Sequence, residues 1–225
     1  QTRRAIELLY ALQARYPGNP LYLAQIAQIQ DVYEHDIVAS LDTWRQLLAA
    51  AREQRANSAA LAEVQARLGV ARMLDRLYLT DEALEHLTAV TDLKAQEPFS
   101  SLAVAYLQLG EAHDRLGARP AAVAAYKSAI AAVPPLDPYD VRSQASKRLR
   151  HAPDVRHAEA YRLSLDGWRR LERNDLPGAS AALERAIALD PHDPVARYRL
   201  GRVLQARRED VAALVGCEAA EVVFT

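Results

Sequence analysis

The chain has 225 residues, half of them hydrophobic but only 6% aromatic, and a formal net charge of −1. That balance supplies a continuous apolar core and argues against a general nucleic-acid binder, whose affinity would rest on neutralising phosphates. No run approaches the ~18 consecutive apolar residues of a membrane span, and no charged-then-apolar start resembles a signal peptide. The single cysteine excludes an internal disulfide, so the fold needs no oxidising compartment.

In chain order, residues 1–17 read as one helix, with Ala5, Leu9 and Leu12 at helical spacing and Pro17 as its stop. Residues 18–134 predict three helix pairs, the small alanines of the second helices being Ala39, Ala83 and Ala122. Pro135, Pro138 and Pro153 then bracket an inserted helix over 135–153, with Val141, Ala145 and Leu149 on one face. Residues 154–225 predict two further pairs, whose second-helix alanines are Ala179 and Ala213. The alanine steps from Ala5 are 34, 44, 39, 57 and 34 residues, and the insertion accounts for the longest.

Glycine and proline agree with this helical punctuation. Gly69, Gly110, Gly167 and Gly201 fall where a first helix approaches its neighbour closely, and Gly18, Gly117 and Gly178 fall in turns. Every proline stands at a proposed boundary, with Pro120 and Pro177 in first turns, where the missing N–H costs nothing. The expectation is an all-α protein.

Between Tyr106 and Pro134, Leu109-Gly110, Ala122, Tyr126 and Ala129 follow in order, close to the W-x2-L-G-x2-Y…A-x3-F…P pattern. The chain therefore resembles the tetratricopeptide repeat family. That resemblance implies an α-solenoid, or superhelix, of antiparallel helix pairs, with the first helices lining a concave protein-binding face. The positions resembling that lining are Val104, Leu107, Glu111 and Asp114, then Tyr161, Ser164, Trp168 and Leu171, then Val195, Tyr198, Arg202 and Gln205. Tyr161, Ser164, Trp168, Leu171, Tyr198, Arg202 and Gln205 are the candidate peptide-binding set, because tyrosine, tryptophan and arginine are enriched at binding hot spots. The paired lysines and asparagines of the subfamily that grips chaperone tails are missing, so no chaperone-tail receptor is expected.

Charge is uneven: Arg142 to Arg208 holds 15 Lys+Arg against 8 Asp+Glu, so its +7 leaves −8 elsewhere. A solubilising face explains this blandly; a surface for an acidic segment, gripped by arginine forks, explains it more sharply. Residues with catalytic or ligating chemistry are sparse and scattered. Isolated glycines give no phosphate-cradling loop, and the six histidines are dispersed. Glu34-His35-Asp36 reads as a helix junction, since adjacent helical residues point apart. No catalytic residue, metal or cofactor is expected. The expected partner is a protein or peptide, with an acidic one the sharper case and no nucleic acid. The alternative is a recruiting or regulatory module of a larger enzyme, transcription regulator or cell-envelope assembly protein. The cytoplasm is the favoured compartment, with the periplasm as alternative; the oligomeric state is open.

The ends suggest a fragment of a longer protein, since the first helix lacks a partner before it and no initiator methionine is present. At the other end Leu200-Gly201, Leu204, Ala213, Cys217 and Ala220 keep the repeat register, which makes Cys217 a small buried hydrophobe. Val211 to Thr225 also resembles the helix-to-strand segment near the start of cysteine desulfurases. That likeness covers fifteen residues and stops before any cofactor lysine or catalytic cysteine of that family could appear, so it implies no such activity here.

Overall fold

The structure is a computed structural model that describes residues 2–95 and 97–215, with side chains through Asp210. The expectations for Cys217 and Ala220, and the strand-like end of the desulfurase resemblance, lie outside the described residues. Among these residues the chain is all-α: α1 (Thr2–Arg15), α2 (Pro20–Val32), α3 (Ile37–Arg52), α4 (Ala59–Arg76), α5 (Thr80–Asp92), α6 (Ser101–Arg115), α7 (Arg119–Ala132), α8 (Val141–Arg150), α9 (Val155–Glu172), α10 (Leu176–Leu189) and α11 (Pro194–Val215). Helices pack on their sequence neighbours or on the next helix but one, as in an α-solenoid. The chain divides into two compact units, Gln1–His113 with Ala118–Ala152, and Asp114–Gly117 with Pro153–Thr225.

Local sequence sets the helix starts. The Asn19 side chain accepts from the Leu21 N–H at 3.1 Å ahead of Pro20, and Asp36 accepts from the Ala39 N–H at 2.9 Å. Thus Glu34-His35-Asp36 is a turn, with Asp36 as the cap of α3 and His35 at positive φ. Asp154 and Asp175 cap α9 and α10 in the same way, through the Arg156 and Gly178 N–H groups. Asp137 holds the start of α8 by accepting from the N–H groups of Val141 and Arg142 at 3.0 and 2.9 Å.

In the first unit the core runs through Ile26, Leu47, Val70, Met73, Leu74 and Leu87, then through Leu107, Tyr126, Val141 and Ala145. The second unit packs Leu176, Ala179, Leu183 and Val203 together. A small residue followed four positions later by a large one recurs on the second helices: Ala83 and Leu87, Ala122 and Tyr126, Ala179 and Leu183, all buried.

Three sequence expectations need correction. In α3 the buried small residue is Ser40 rather than Ala39, which is half-buried. The Ser40 hydroxyl donates to the Ala27 carbonyl at 2.8 Å, so a polar residue sits at the seam without an unpaired group, and Trp44 is the large residue four positions on. Gly69 also differs from its counterparts. A Cβ on Gly110 would stand 2.5 Å from the Tyr126 ring, and one on Gly167 would stand 2.6 Å from Leu183, each on the following helix. Gly69 instead meets Trp44 of the preceding helix, and Gly201 meets nothing within 4 Å. The third correction concerns Ala213. It lies in the same unbroken helix as Gly201, because α11 runs through Val215 with no glycine or proline between 202 and 215 to end it.

Polar groups join α3, α4 and α5 at one surface. Arg67 donates to Glu63 at 2.9 and 2.7 Å, while Arg52 and Arg45 stand 3.9 Å from Glu63 and Glu82. His86 lies among them with Nδ1 buried and unpaired. Burial, followed by the charges of Arg67 and Arg52, holds its pKa below the ordinary 6.5 against an upward pull from Glu85. The unfolded chain therefore takes up a proton near pH 6.5 that folded His86 resists. Stability should be insensitive to this group above that pH and fall as the pH drops below it. Thermal melts of wild type and His86→Gln between pH 7.5 and 5 should show a steeper acid loss for wild type, and parallel curves would disprove the assignment.

Candidate functional site

The first helices of the first unit, α2, α4 and α6, together with α8, enclose a cavity of about 410 Å³. Each first helix contributes a glutamine: Gln28 from α2, Gln65 from α4 and Gln108 from α6. Gln144 of α8 faces the same space, and its amide already donates to the Tyr139 carbonyl at 2.7 Å. Apolar wall is supplied by Leu68, Val104, Leu107 and Val141, and Phe99 and Tyr139, both largely exposed, stand beside it.

Two buried polar atoms of this lining have no hydrogen-bond partner among the described residues: the indole Nε1 of Trp44 and Oε1 of Gln108. Trp44 is only 2% exposed. It reaches the cavity from the second helix α3 because Gly69 has no side chain in the way. A buried N–H without an acceptor costs about 1–3 kcal/mol.

The charged groups near this wall are held in place. Buried Asp31 of α2 faces two guanidinium groups of α4, Arg72 at 3.4 Å and Arg76 in closer contact. Burial lowers the Arg72 pKa from its usual value, although arginine remains cationic. Across the cavity, Arg148 of α8 donates to Glu111 of α6 at 3.0 Å. This ion pair ties the inserted helix to the last of the three first helices.

The residues that the sequence singled out in the second unit differ in burial. Ser164 is fully buried and accepts from Arg199 Nη1 at 3.0 Å, so it serves the α9–α11 seam. The guanidinium over the half-buried Trp168 ring, 5.7 Å from its centroid, is that of Arg199. Arg202, the arginine of the candidate peptide-binding set, is exposed one turn further along α11. Tyr161 lies under Arg115 at 5.9 Å, and Leu171 packs on the core. Tyr198 is exposed, as is Gln205, which donates to Glu209 at 3.0 Å. Tyr161, Ser164, Trp168 and Leu171 are thus at least half-buried, and no single exposed strip includes them all.

Sequence reasoning did place Val104, Leu107 and Glu111 on the lining face, and all three line the cavity; Asp114, the fourth of that set, is buried. Arg199, Trp44 and the three glutamines were missed. The signal for the glutamines was their position on successive first helices, which composition alone does not reveal. Among the described residues no cluster of His, Cys, Asp or Glu could hold a metal ion, and no helix is long and apolar enough to cross a membrane. No protein-family model and no curated protein matches the chain.

Proposed function

We propose that the protein is a non-catalytic scaffold of the tetratricopeptide type and that it binds a polypeptide segment in the α2–α4–α6–α8 cavity. The observation that carries this reading is the glutamine series. The side-chain amides of Gln28, Gln65 and Gln108 make no hydrogen bond within the described residues, yet they stand on three first helices around one space. Each carboxamide offers both donor and acceptor, the complement of a peptide group, and none carries a charge that would require a counter-ion. The Trp44 N–H adds one more unpartnered donor to the lining, and Phe99 and Tyr139 offer ring surface for an apolar side chain. The tetratricopeptide resemblance supports the same face, since its first helices are the ones expected to bind.

The chain contains two tryptophans, so Trp168→Phe leaves Trp44 as the only indole reporter. Peptides selected from a random library on this variant should shift Trp44 emission as they bind. Gln65→Ala with Gln108→Ala should weaken them roughly tenfold or more, the scale of two lost hydrogen bonds. Trp44→Phe, in the chain that keeps Trp168, should lower affinity while retaining the ring. Selected peptides that bind the helical double-alanine variant as tightly as its parent would overturn the assignment of the cavity.

A further inference from the structure

We propose that the exposed face of α8 is a docking strip for an acidic polypeptide segment. It rests on the polypeptide reading above only for the class of partner. In ten residues α8 carries Arg142, Lys147, Arg148 and Arg150 and no acidic residue. Val141, Ala145 and Leu149 face the core, which turns Lys147 and Arg150 outward. Arg119 of α7 brings a further guanidinium to the same end, donating to the carbonyls of Arg148 and Leu149 at 2.8 and 3.1 Å.

The bland account is that a helix C-terminus favours basic residues. Magnitudes decide against it as the whole explanation. The macrodipole presents about half a negative charge there, whereas Lys147, Arg148 and Arg150 all stand in the last turn of α8. Glu111 answers one of them through Arg148. The side chains of Arg142, Lys147 and Arg150 have no carboxylate within ion-pair distance among the described residues. Roughly one to two positive charges therefore stay uncompensated on the last turn of the helix.

The size of the strip selects the occupant. α8 is only ~15 Å long, which suits a few carboxylates gripped by arginine and lysine better than a nucleic-acid backbone. The chain as a whole is slightly negative and offers no wider field for a long polyanion. The position fits a single ligand as well. The first turn of α8 walls the cavity through Val141 and Gln144, and Lys147 and Arg150 follow ~4.5 and ~9 Å further along its axis. A polypeptide anchored in the cavity would thus meet these cations with its next residues.

The test uses a fluorescent ten-residue oligo-glutamate peptide and the full chain at low ionic strength, read by anisotropy. The peptide should bind, weaken as salt rises, and weaken at least fivefold with Lys147→Gln and Arg150→Gln together. Arg3→Gln with Arg4→Gln, two exposed arginines on α1, should leave binding unchanged, as should the cavity variant Gln65→Ala with Gln108→Ala. That last arm separates the strip from the cavity, because loss of selected peptides there with retention of oligo-glutamate supports each site independently. The proposal is overturned if oligo-glutamate does not bind, if the α8 variant matches wild type, if the α1 control weakens binding as much, or if a ten-residue oligo-thymidylate binds more tightly.

Discussion

Tyr126→Ala should lower the unfolding free energy by about 3–5 kcal/mol, the usual loss when a fully buried aromatic ring is truncated. The ring is completely enclosed, with Gly110 against one face and the α6–α7–α8 core around it, so collapse of the neighbours can recover little of the cavity. Because α8 is docked through Val141 and Ala145 onto the same cluster, the damage should extend to that helix. Urea titration followed by circular dichroism gives the number. A loss below about 1 kcal/mol would mean that Tyr126 does not hold these three helices together.

The second large effect is a contrast between two glycines in the same Leu-Gly context. Gly110→Ala places a methyl group 2.5 Å from Tyr126, and the ring cannot retreat without opening the seam, so overpacking should cost about 1–3 kcal/mol or more. Gly201→Ala meets open space in the interior of α11 and should stabilise by about 1 kcal/mol through helix propensity alone. Opposite signs in paired melts are the expected result. Equal signs would show that close approach is not what distinguishes the two positions.

Those glycines also show how far the sequence could be read. Proline marks a helix start by local chemistry, so the first turns at Pro120 and Pro177 were legible without tertiary information, whereas the unbroken run of α11 was not. Register inside a helix was less legible, because it depends on which neighbour a small residue meets. Ser40 takes the seam in α3 through a hydrogen bond that a search for alanine passes over. Gly69 lies fourteen residues before Ala83, where Gly110 and Gly167 each lie twelve before Ala122 and Ala179, and that offset accompanies its turn toward Trp44. The cavity was the least legible feature. Its walls come from positions as far apart as Gln28 and Gln144, and its indole arrives from a second helix, the class assigned to seam packing. In the second unit, Ser164 and Trp168 had the right residue types for a binding surface, but Arg199 engages both within the protein.

The packing of each helix on neighbours close in sequence has a kinetic consequence. Most tertiary contacts close short loops, so the entropy lost in forming any one of them is small and is recovered at once by the next. Such a chain has low contact order and belongs with the fast folders. Each helix pair can begin to close while later residues are still leaving the ribosome, and little apolar surface need wait for a distant partner to be synthesised.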